Sequence, residues 1–277
     1  MSTRIAHNIL SMTAQRNVYA TQLQLDQAVT RLSSGLRINN AWDDPAGLAV
    51  SERFRAQIAS MVEAERNANY NINLLATAEG ATGVIDEKLV RLRALAIQAS
   101  NGHLTAEDRQ AIDVEFSQLR SEITRIANIT NYNGLNLLNG DFSSLGIKFH
   151  IGTYNILNQD YYFVNLNSMT ATALGLDGAS LLGTSSAQAA INMIDSAISS
   201  KDTQRTTLGA YVERLQNTIN NLQIQHENAV RSESQIRDAD IAEEMSNFVR
   251  AQILMQSGVA MLSQANMLPQ IVAGLVG

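Results

Sequence analysis

Along most of this chain, apolar residues recur at alternating spacings of three and four, the pattern of helix faces that pack against other helices. The 277 residues contain only two prolines, Pro45 and Pro269, so long stretches carry no residue that would break a helix. Such a chain has few alternatives to long helices packed side by side. We therefore predict a mostly α fold, a long antiparallel helical rod that resembles a coiled-coil bundle.

Three runs of the pattern define the expected rod, at 45–99, 105–128 and 191–222. Thr105 and Asp108 precede the second run at the spacing of a capping box, which predicts a helix start there. Two places depart from the pattern. The register shifts around Gly80 and Gly83, which predicts a discontinuity or a bend in the first run. Lys201 and Arg205 interrupt the third.

Between about 129 and 186 the pattern changes to that of short strands and turns. Segments 147–151 and 161–166 are rich in β-branched and aromatic residues, and the turn-prone Asn155 and Asn158 lie between them. We predict one small β hairpin, in a region at about 140–180.

The two ends of the chain have opposite charges. Residues 1–40 carry four arginines against one aspartate, a net charge of +3, and residues 238–277 carry four carboxylates against one arginine, a net charge of −3. The four carboxylates precede or begin the last apolar run, where they would complement the dipole of a helix. We predict a terminal coiled-coil domain made of 1–40 and 238–277, and a rod domain from 41 to 237.

The last apolar run has more apolar surface than one partner helix can cover. From residue 245 to the end the only charged residue is Arg250. Leu254, Met261 and Leu268 form a second apolar face beside the first. A helix that is apolar on more than one face is unstable in water unless other chains cover it, so this end is expected to contact other subunits.

Several segments closely resemble bacterial flagellins, and together they cover essentially the whole chain. The N-terminal ones are 32–39 (LSSGLRIN) and 43–51 (DDPAGLAVS), and the C-terminal ones are 234–244 (SQIRDADIAEE), 250–254 (RAQIL) and 264–266 (QAN). Inner segments at 132–134, 149–152 and 174–178 also match. The variable outer domains of many flagellins are absent, since only about ten residues separate 178 from the next helical run.

The resemblance implies a structural subunit that polymerises into the flagellar filament for motility, after export in an unfolded state through the flagellar secretion channel. Both ends would form the filament core around a central channel. The residues expected at this subunit interface are Ile5, Ile9, Met12, Leu25, Val29 and Leu32 in the N-terminal arm, and Ile241, Met245, Phe248, Met255, Val259 and Leu262 in the C-terminal arm.

The expected partners are further copies of the chain, an export chaperone, and filament cap or junction proteins. A net charge of −6 argues against nucleic-acid binding. No apolar stretch is long enough to predict a membrane span, and no cleavable signal peptide is visible. The expected location is extracellular, in the flagellum.

An animal Toll-like receptor recognises some flagellins through a long outer helix. Arg91, Leu95 and Glu115 agree with the recognised pattern, whereas Val90 and Ala94 depart from it, as does the residue at 119. These residues are therefore predicted to form either a receptor-facing surface or a packing surface of the filament.

The sequence predicts no enzyme, cofactor or metal site. The chain lacks cysteine, and its four histidines are widely separated, with no H-E-x-x-H pair. The adjacent acids Asp43–Asp44 and Glu243–Glu244 are interpreted as helix caps and dipole partners, with cation binding as the alternative.

Three other functions are compatible with parts of this sequence. A hook–filament junction protein shares the terminal architecture. A secreted enzyme on a flagellin scaffold would need a catalytic constellation that this sequence lacks. A soluble coiled-coil adaptor would not need so uncharged a C-terminal segment.

Overall fold

A computed structural model describes the backbone of residues 7–276 and the side chains of residues 7–267. Its helices are α1 Ile9–Ser34, α2 Pro45–Ala99, α3 Ala106–Ile129, α4 Thr184–Arg237 and α5 Ile241–Val276. The prediction of a mostly α fold is confirmed. Contacts divide the chain into two compact units, one of Met1–Ile58 with Glu227–Gly277 and one of Ala59–His226. The predicted domain limits at 40 and 238 both fall inside the first unit and stay a prediction.

Two helix starts follow directly from the sequence. The Thr105 hydroxyl accepts a hydrogen bond from the Asp108 N–H (3.2 Å), and an Asp108 carboxylate oxygen accepts one from the Thr105 N–H (3.0 Å). This is the predicted capping box of α3. At the start of α2, Asp44 accepts a hydrogen bond from the Gly47 N–H (2.9 Å), and Pro45 occupies the first helical position.

The helix α2 is unbroken at its two inner glycines. Ala78, Thr82 and Ile85 continue the buried face of the helix past Gly80 and Gly83 at spacings of four and three. The Thr82 hydroxyl donates to the Ala78 carbonyl (2.7 Å), so this polar side chain is buried with its donor satisfied. The predicted discontinuity of the packed face is wrong, because small residues continue it where no large apolar residue marks it.

A buried polar layer lies on the packed face of α4. Lys201 and Gln204 are only 3% and 2% exposed. The Lys201 ammonium contacts carboxylate oxygens of Asp86 on α2 and of Asp202, each at 2.6 Å. Lys201 interrupts the apolar run as predicted, but its side chain stays in the core, since carboxylates satisfy its charge there.

Within the second unit, ion pairs show that α2 and α4 run antiparallel. Arg205 on α4 pairs with Glu79 on α2 (2.6 Å), and Asp195 on α4 pairs with Arg93 on α2 (2.7 Å). The α4 residue nearer the N-terminus thus meets the α2 residue nearer the C-terminus. These pairs are about half exposed, so they contribute less to stability than to the alignment of the helices.

The strands form two small antiparallel pairs: β1 Asn131–Tyr132 with β2 Leu135–Asn136, and β3 Ile147–His150 with β4 Tyr161–Val164. The pair of β3 and β4 is the predicted hairpin, with Ile147 opposite Val164 and His150 opposite Tyr161. The β1–β2 pair encloses the turn at Asn133 and Gly134, whose φ angles are +51° and +82°. The sequence showed this turn but not the pairing beside it.

The core of the second unit lies between α2, α3, α4 and the β3–β4 hairpin. On its inner side the hairpin buries Phe149, Tyr162 and Val164. Tyr162 stacks on Tyr211 of α4 with ring centroids 6.0 Å apart, and the Arg214 guanidinium lies 4.1 Å from the Tyr162 ring centroid. The hairpin is therefore fixed to α4 by aromatic and cation–π contacts.

Candidate subunit interface

Within the first unit, the terminal helices α1 and α5 pack antiparallel. The Ser11 hydroxyl near the start of α1 donates to the Asn266 side-chain oxygen on α5 (2.6 Å). Near the other end of the pair, Arg31 contacts Glu244 (2.8 Å). These two contacts fix the register along the whole of α1.

Small and large residues share the packed faces of this helix pair. The positions turned inward repeat at spacings of three and four on both helices, as in a coiled coil. They are Ser11, Ala14, Val18, Thr21, Leu25, Ala28 and Leu32 on α1, and Glu244, Phe248, Ala251, Met255, Gly258, Leu262 and Ala265 on α5. The register places a larger residue beside a smaller one where Val18 lies against Gly258. The two backbones can therefore approach closely.

The two helices lie close together at Gly258. A Cβ atom added at Gly258 would lie 2.9 Å from Cγ2 of Val18, closer than side-chain carbons pack. In the middle of a helix a glycine destabilises by roughly 0.5–1 kcal/mol relative to alanine, so this position is occupied at a cost. The close packing of Val18 against the helix backbone explains why that cost is tolerated.

The predicted interface residues fall on two different faces. Leu25, Leu32, Phe248, Met255 and Leu262 are half-buried between α1 and α5. The remaining described ones are exposed: Ile9, Met12 and Val29 on α1, and Ile241, Met245 and Val259 on α5. Ile5 lies outside the described residues. The sequence pattern merged two faces into one because Ala251 and Gly258, which complete the inner face, carry little hydrophobic signal.

An extended apolar surface therefore remains uncovered on both terminal helices. Ile9 is 59% and Val259 is 52% exposed. Other exposed apolar side chains on α5 are Val249, Ile253, Leu254 and Met261. Single exposed apolar residues are ordinary, but a continuous apolar surface of this kind marks a site of protein–protein contact.

Acidic residues at the start of α5 act as predicted. The Asp240 carboxylate accepts hydrogen bonds from the N–H groups of Ala242 (2.8 Å) and Glu243 (3.2 Å). Glu243 and Glu244 lie in the first helical turn. Glu243 and Glu244 thus lie where they complement the helix dipole, as predicted, whereas the capping hydrogen bonds at this helix start come from Asp240. Glu244 also provides the carboxylate of the ion pair with Arg31, where it is largely buried.

The chain segments that flank α1 and α5 are joined by backbone hydrogen bonds. The Arg37 N–H donates to the Arg237 carbonyl (2.7 Å), and the Ala239 N–H donates to the Gly35 carbonyl (2.9 Å). Gly35 ends α1 with a φ angle of +71°, a conformation that glycine adopts without strain. These bonds hold the end of α1 beside the start of α5.

The turn before α2 is held by the side chain of Asp43, the first residue of the 43–51 segment. Asp43 accepts hydrogen bonds from the N–H groups of Asn39 (3.1 Å) and Asn40 (2.8 Å). Trp42, in the same turn, is 78% exposed. Local packing in its own chain therefore does not account for this tryptophan, and its indole is available to a partner.

The three residues with a predicted receptor or packing role differ in how exposed their side chains are. Arg91 on α2 and Glu115 on α3 form an exposed ion pair (2.6 Å). Leu95 is 1% exposed and belongs to the core of the second unit. The Leu95 side chain therefore packs inside its own unit, and the receptor-facing or packing role of Arg91 and Glu115 stays a prediction.

None of the described helices combines the length and hydropathy that crossing a bilayer requires. Within the same residues, no group of three or more His, Cys, Asp or Glu side chains is arranged to hold a metal ion.

Comparison with known proteins relates the chain to proteins of the flagellum. Residues 5–143 match the bacterial flagellin N-terminal helical region, and residues 191–276 match the bacterial flagellin C-terminal helical region. Flagellin FlaB1 of Treponema pallidum is 40% identical, over 98% of this chain and 99% of its own length. The flagellar filament core protein flaB2 of Brachyspira hyodysenteriae is 41% identical, over 96% of this chain and 97% of its own length. The crystal structure of Bacillus cereus flagellin is 32% identical, with a TM-score of 0.48, over 57% of this chain and 88% of that chain.

Proposed function

The chain belongs to the bacterial flagellin family, and on that premise we propose that it is a structural subunit that polymerises into the flagellar filament used for motility. The observation that carries the proposal is the apolar surface left exposed on α1 and α5 after these helices have packed together. Further copies of the chain cover it in the filament.

The distribution of residues on α5 supports two separate roles for this helix. Its inner face is completed by Ala251 and Gly258 and fits α1 closely. Its outer face carries long apolar side chains, including Met245 and Met261, which adapt to several packing environments. The inner face thus pairs the two ends of one subunit, and the outer face contacts neighbouring subunits.

The filament subunit is favoured over the hook–filament junction protein. The two relatives from Treponema pallidum and Brachyspira hyodysenteriae, which match this chain over nearly their full length, are named as a flagellin and as a filament core protein. Flagellins are a structural protein family, and we propose that this member likewise has no catalytic activity.

Location and further partners follow from the same proposal. The subunit reaches the extracellular filament by export through the flagellar channel. An export chaperone holds its terminal arms before assembly, and cap or junction proteins contact it in the finished flagellum. The exposed ion pair between Arg91 and Glu115 contributes to packing between subunits.

Removing the terminal arms tests the proposal. A chain without residues 1–40 and 241–277 is expected to remain a helical monomer and to lose polymerisation, because the exposed apolar faces are lost and the core of the second unit is kept. Circular dichroism checks the helices, and electron microscopy with filament seeds checks growth, beside the full-length chain as control. Long filaments from the truncated chain would contradict the proposal.

A further inference from the structure

The loop between α2 and α3 contains an asparagine followed by glycine, at Asn101 and Gly102. Two further Asn-Gly pairs of the chain, at Asn133 and Asn139, lie in turns. In such a pair the glycine nitrogen can attack the asparagine carboxamide, since glycine has no side chain to obstruct the approach. The surroundings of each pair determine how readily this occurs.

At Asn101 neither reacting group is engaged. Both residues are exposed, and within the described chain no hydrogen bond involves the Asn101 carboxamide or the Gly102 N–H. A Cβ atom added at Gly102 would meet nothing within 4 Å. The carboxamide is therefore free to rotate towards the glycine nitrogen.

Arg109 contacts the peptide group that has to react. Its Nη2 donates to the Asn101 carbonyl oxygen (2.9 Å), and its Nε donates to the Ala99 carbonyl oxygen (3.1 Å). When the Gly102 N–H loses its proton, the negative charge is shared with that Asn101 oxygen. A guanidinium already bound to this oxygen stabilises the charge as it develops.

The other two pairs are restrained. The Asn139 carboxamide donates to an Asp141 carboxylate oxygen (2.6 Å) and accepts from the Asp141 N–H (3.0 Å), so its rotation is hindered. Asn133 has a φ angle of +51° and is enclosed by the paired residues of β1 and β2. Rearrangement of Asn133 would require this hairpin to open.

We propose that Asn101 is a site of spontaneous modification, promoted by Arg109, at which the side chain is converted to aspartate or isoaspartate. The Gly102 nitrogen loses its proton and bonds to Cγ of Asn101, and the side-chain nitrogen leaves as ammonia. Water then opens the resulting cyclic imide at either carbonyl. The net reaction consumes one water, releases one ammonia and adds one negative charge beside Arg109. No oxidant or reductant is required.

To test this, the conversion of each of the three asparagines is measured in the same purified, full-length, monomeric protein during incubation in mildly alkaline buffer. Trypsin releases Asn101 in peptide 94–109, and Asn133 with Asn139 in peptide 126–148. Mass spectrometry detects each conversion as a gain of about one mass unit, and fragment ions separate the last two sites. In the folded protein Asn101 is expected to convert fastest, and in concentrated urea the three rates should converge because the structural restraints are gone.

Two variants separate the contributions of the glycine and the arginine. Gly102→Ala should slow conversion at Asn101 by hindering the attacking nitrogen. Arg109→Gln, monitored in peptide 94–120, should slow it roughly three- to tenfold in the folded protein and have no effect in urea. The proposal is overturned if Asn133 or Asn139 reacts as fast as Asn101 in the folded protein, if the ranking persists in urea, or if Arg109→Gln leaves the rate unchanged or raises it.

Discussion

Gly258→Val is expected to separate the two terminal helices and to raise the critical concentration for filament growth by more than about tenfold. Even the first added carbon would lie 2.9 Å from Cγ2 of Val18, and the two further methyl groups of valine need space between packed helices. Overpacking of this kind costs about 1–3 kcal/mol, and the displaced α1 would also lose its pairing with the inner face of α5. Seeded growth followed by light scattering measures the critical concentration.

A volume exchange provides the control for this prediction. The double variant Val18→Gly/Gly258→Val moves the side chain from one helix to the other and should restore much of the growth, apart from the cost of glycine in α1. Gly209→Ala in α4 serves as a second control, because its added carbon meets nothing within 4 Å. If Gly258→Val assembles like the unmodified chain, α1 and α5 do not pack in this register in the filament.

Lys201→Ala is expected to lower the free energy of unfolding of the monomer by about 2–3 kcal/mol. The substitution removes a cation that contacts Asp86 and Asp202 (2.6 Å each) and leaves a gap beside the buried Gln204. The two carboxylates are partly exposed, so water compensates for some of the loss. Urea unfolding followed by circular dichroism measures the change.

The charge and the volume of Lys201 can be tested separately. Arg66→Ala removes an exposed ion pair with Glu63 and should change stability by only about 0–1 kcal/mol. Lys201→Met keeps most of the volume without the charge, and it should lie between the alanine variant and the unmodified chain. Equal stability of Lys201→Ala and the unmodified chain would contradict a structural role for the buried pair.

Stability from the Lys201 pair is expected to persist at neutral pH. Burial alone would lower the pKa of Lys201, but hydrogen bonds with Asp202 and Asp86 outweigh it and raise the pKa above the ordinary lysine value. A group whose pKa is raised by folding contributes stability below its unfolded pKa and loses it as the pH rises through the folded pKa. The contribution of the ammonium should therefore persist through neutral pH and be lost in strongly alkaline solution.

Large apolar residues and helix caps made much of the fold predictable from the sequence. The capping box at Thr105 and Asp108, the hairpin strands and the acidic start of α5 depend on neighbours close in the chain, so their residue types indicate their structure directly. The resemblance to flagellins depended on motifs in both ends of the chain. The predictions for these elements were correct because local conformational preference and tertiary packing favour the same structure there.

Small and polar residues account for most of what the sequence did not show. Thr82 and Lys201 lie on packed faces although neither is apolar, because a backbone carbonyl and two carboxylates satisfy them there. Ala251 and Gly258 complete the inner face of α5 through their small size, which a hydrophobic pattern does not register. Which face of α5 meets α1 therefore depends on the fit between two helices distant in sequence.

Thiol labelling in monomers and filaments tests most directly the claim that the outer face of α5 contacts other subunits. Because the chain has no cysteine, each variant has a single thiol. Val259→Cys replaces a residue that is 52% exposed in the monomer, and Ala251→Cys replaces one that is already buried against α1. The thiol at 259 is expected to react readily in monomers and at least about tenfold more slowly in filaments, while the thiol at 251 is protected in both. Equal labelling at 259 in monomers and filaments would mean that this face of α5 does not contact other subunits.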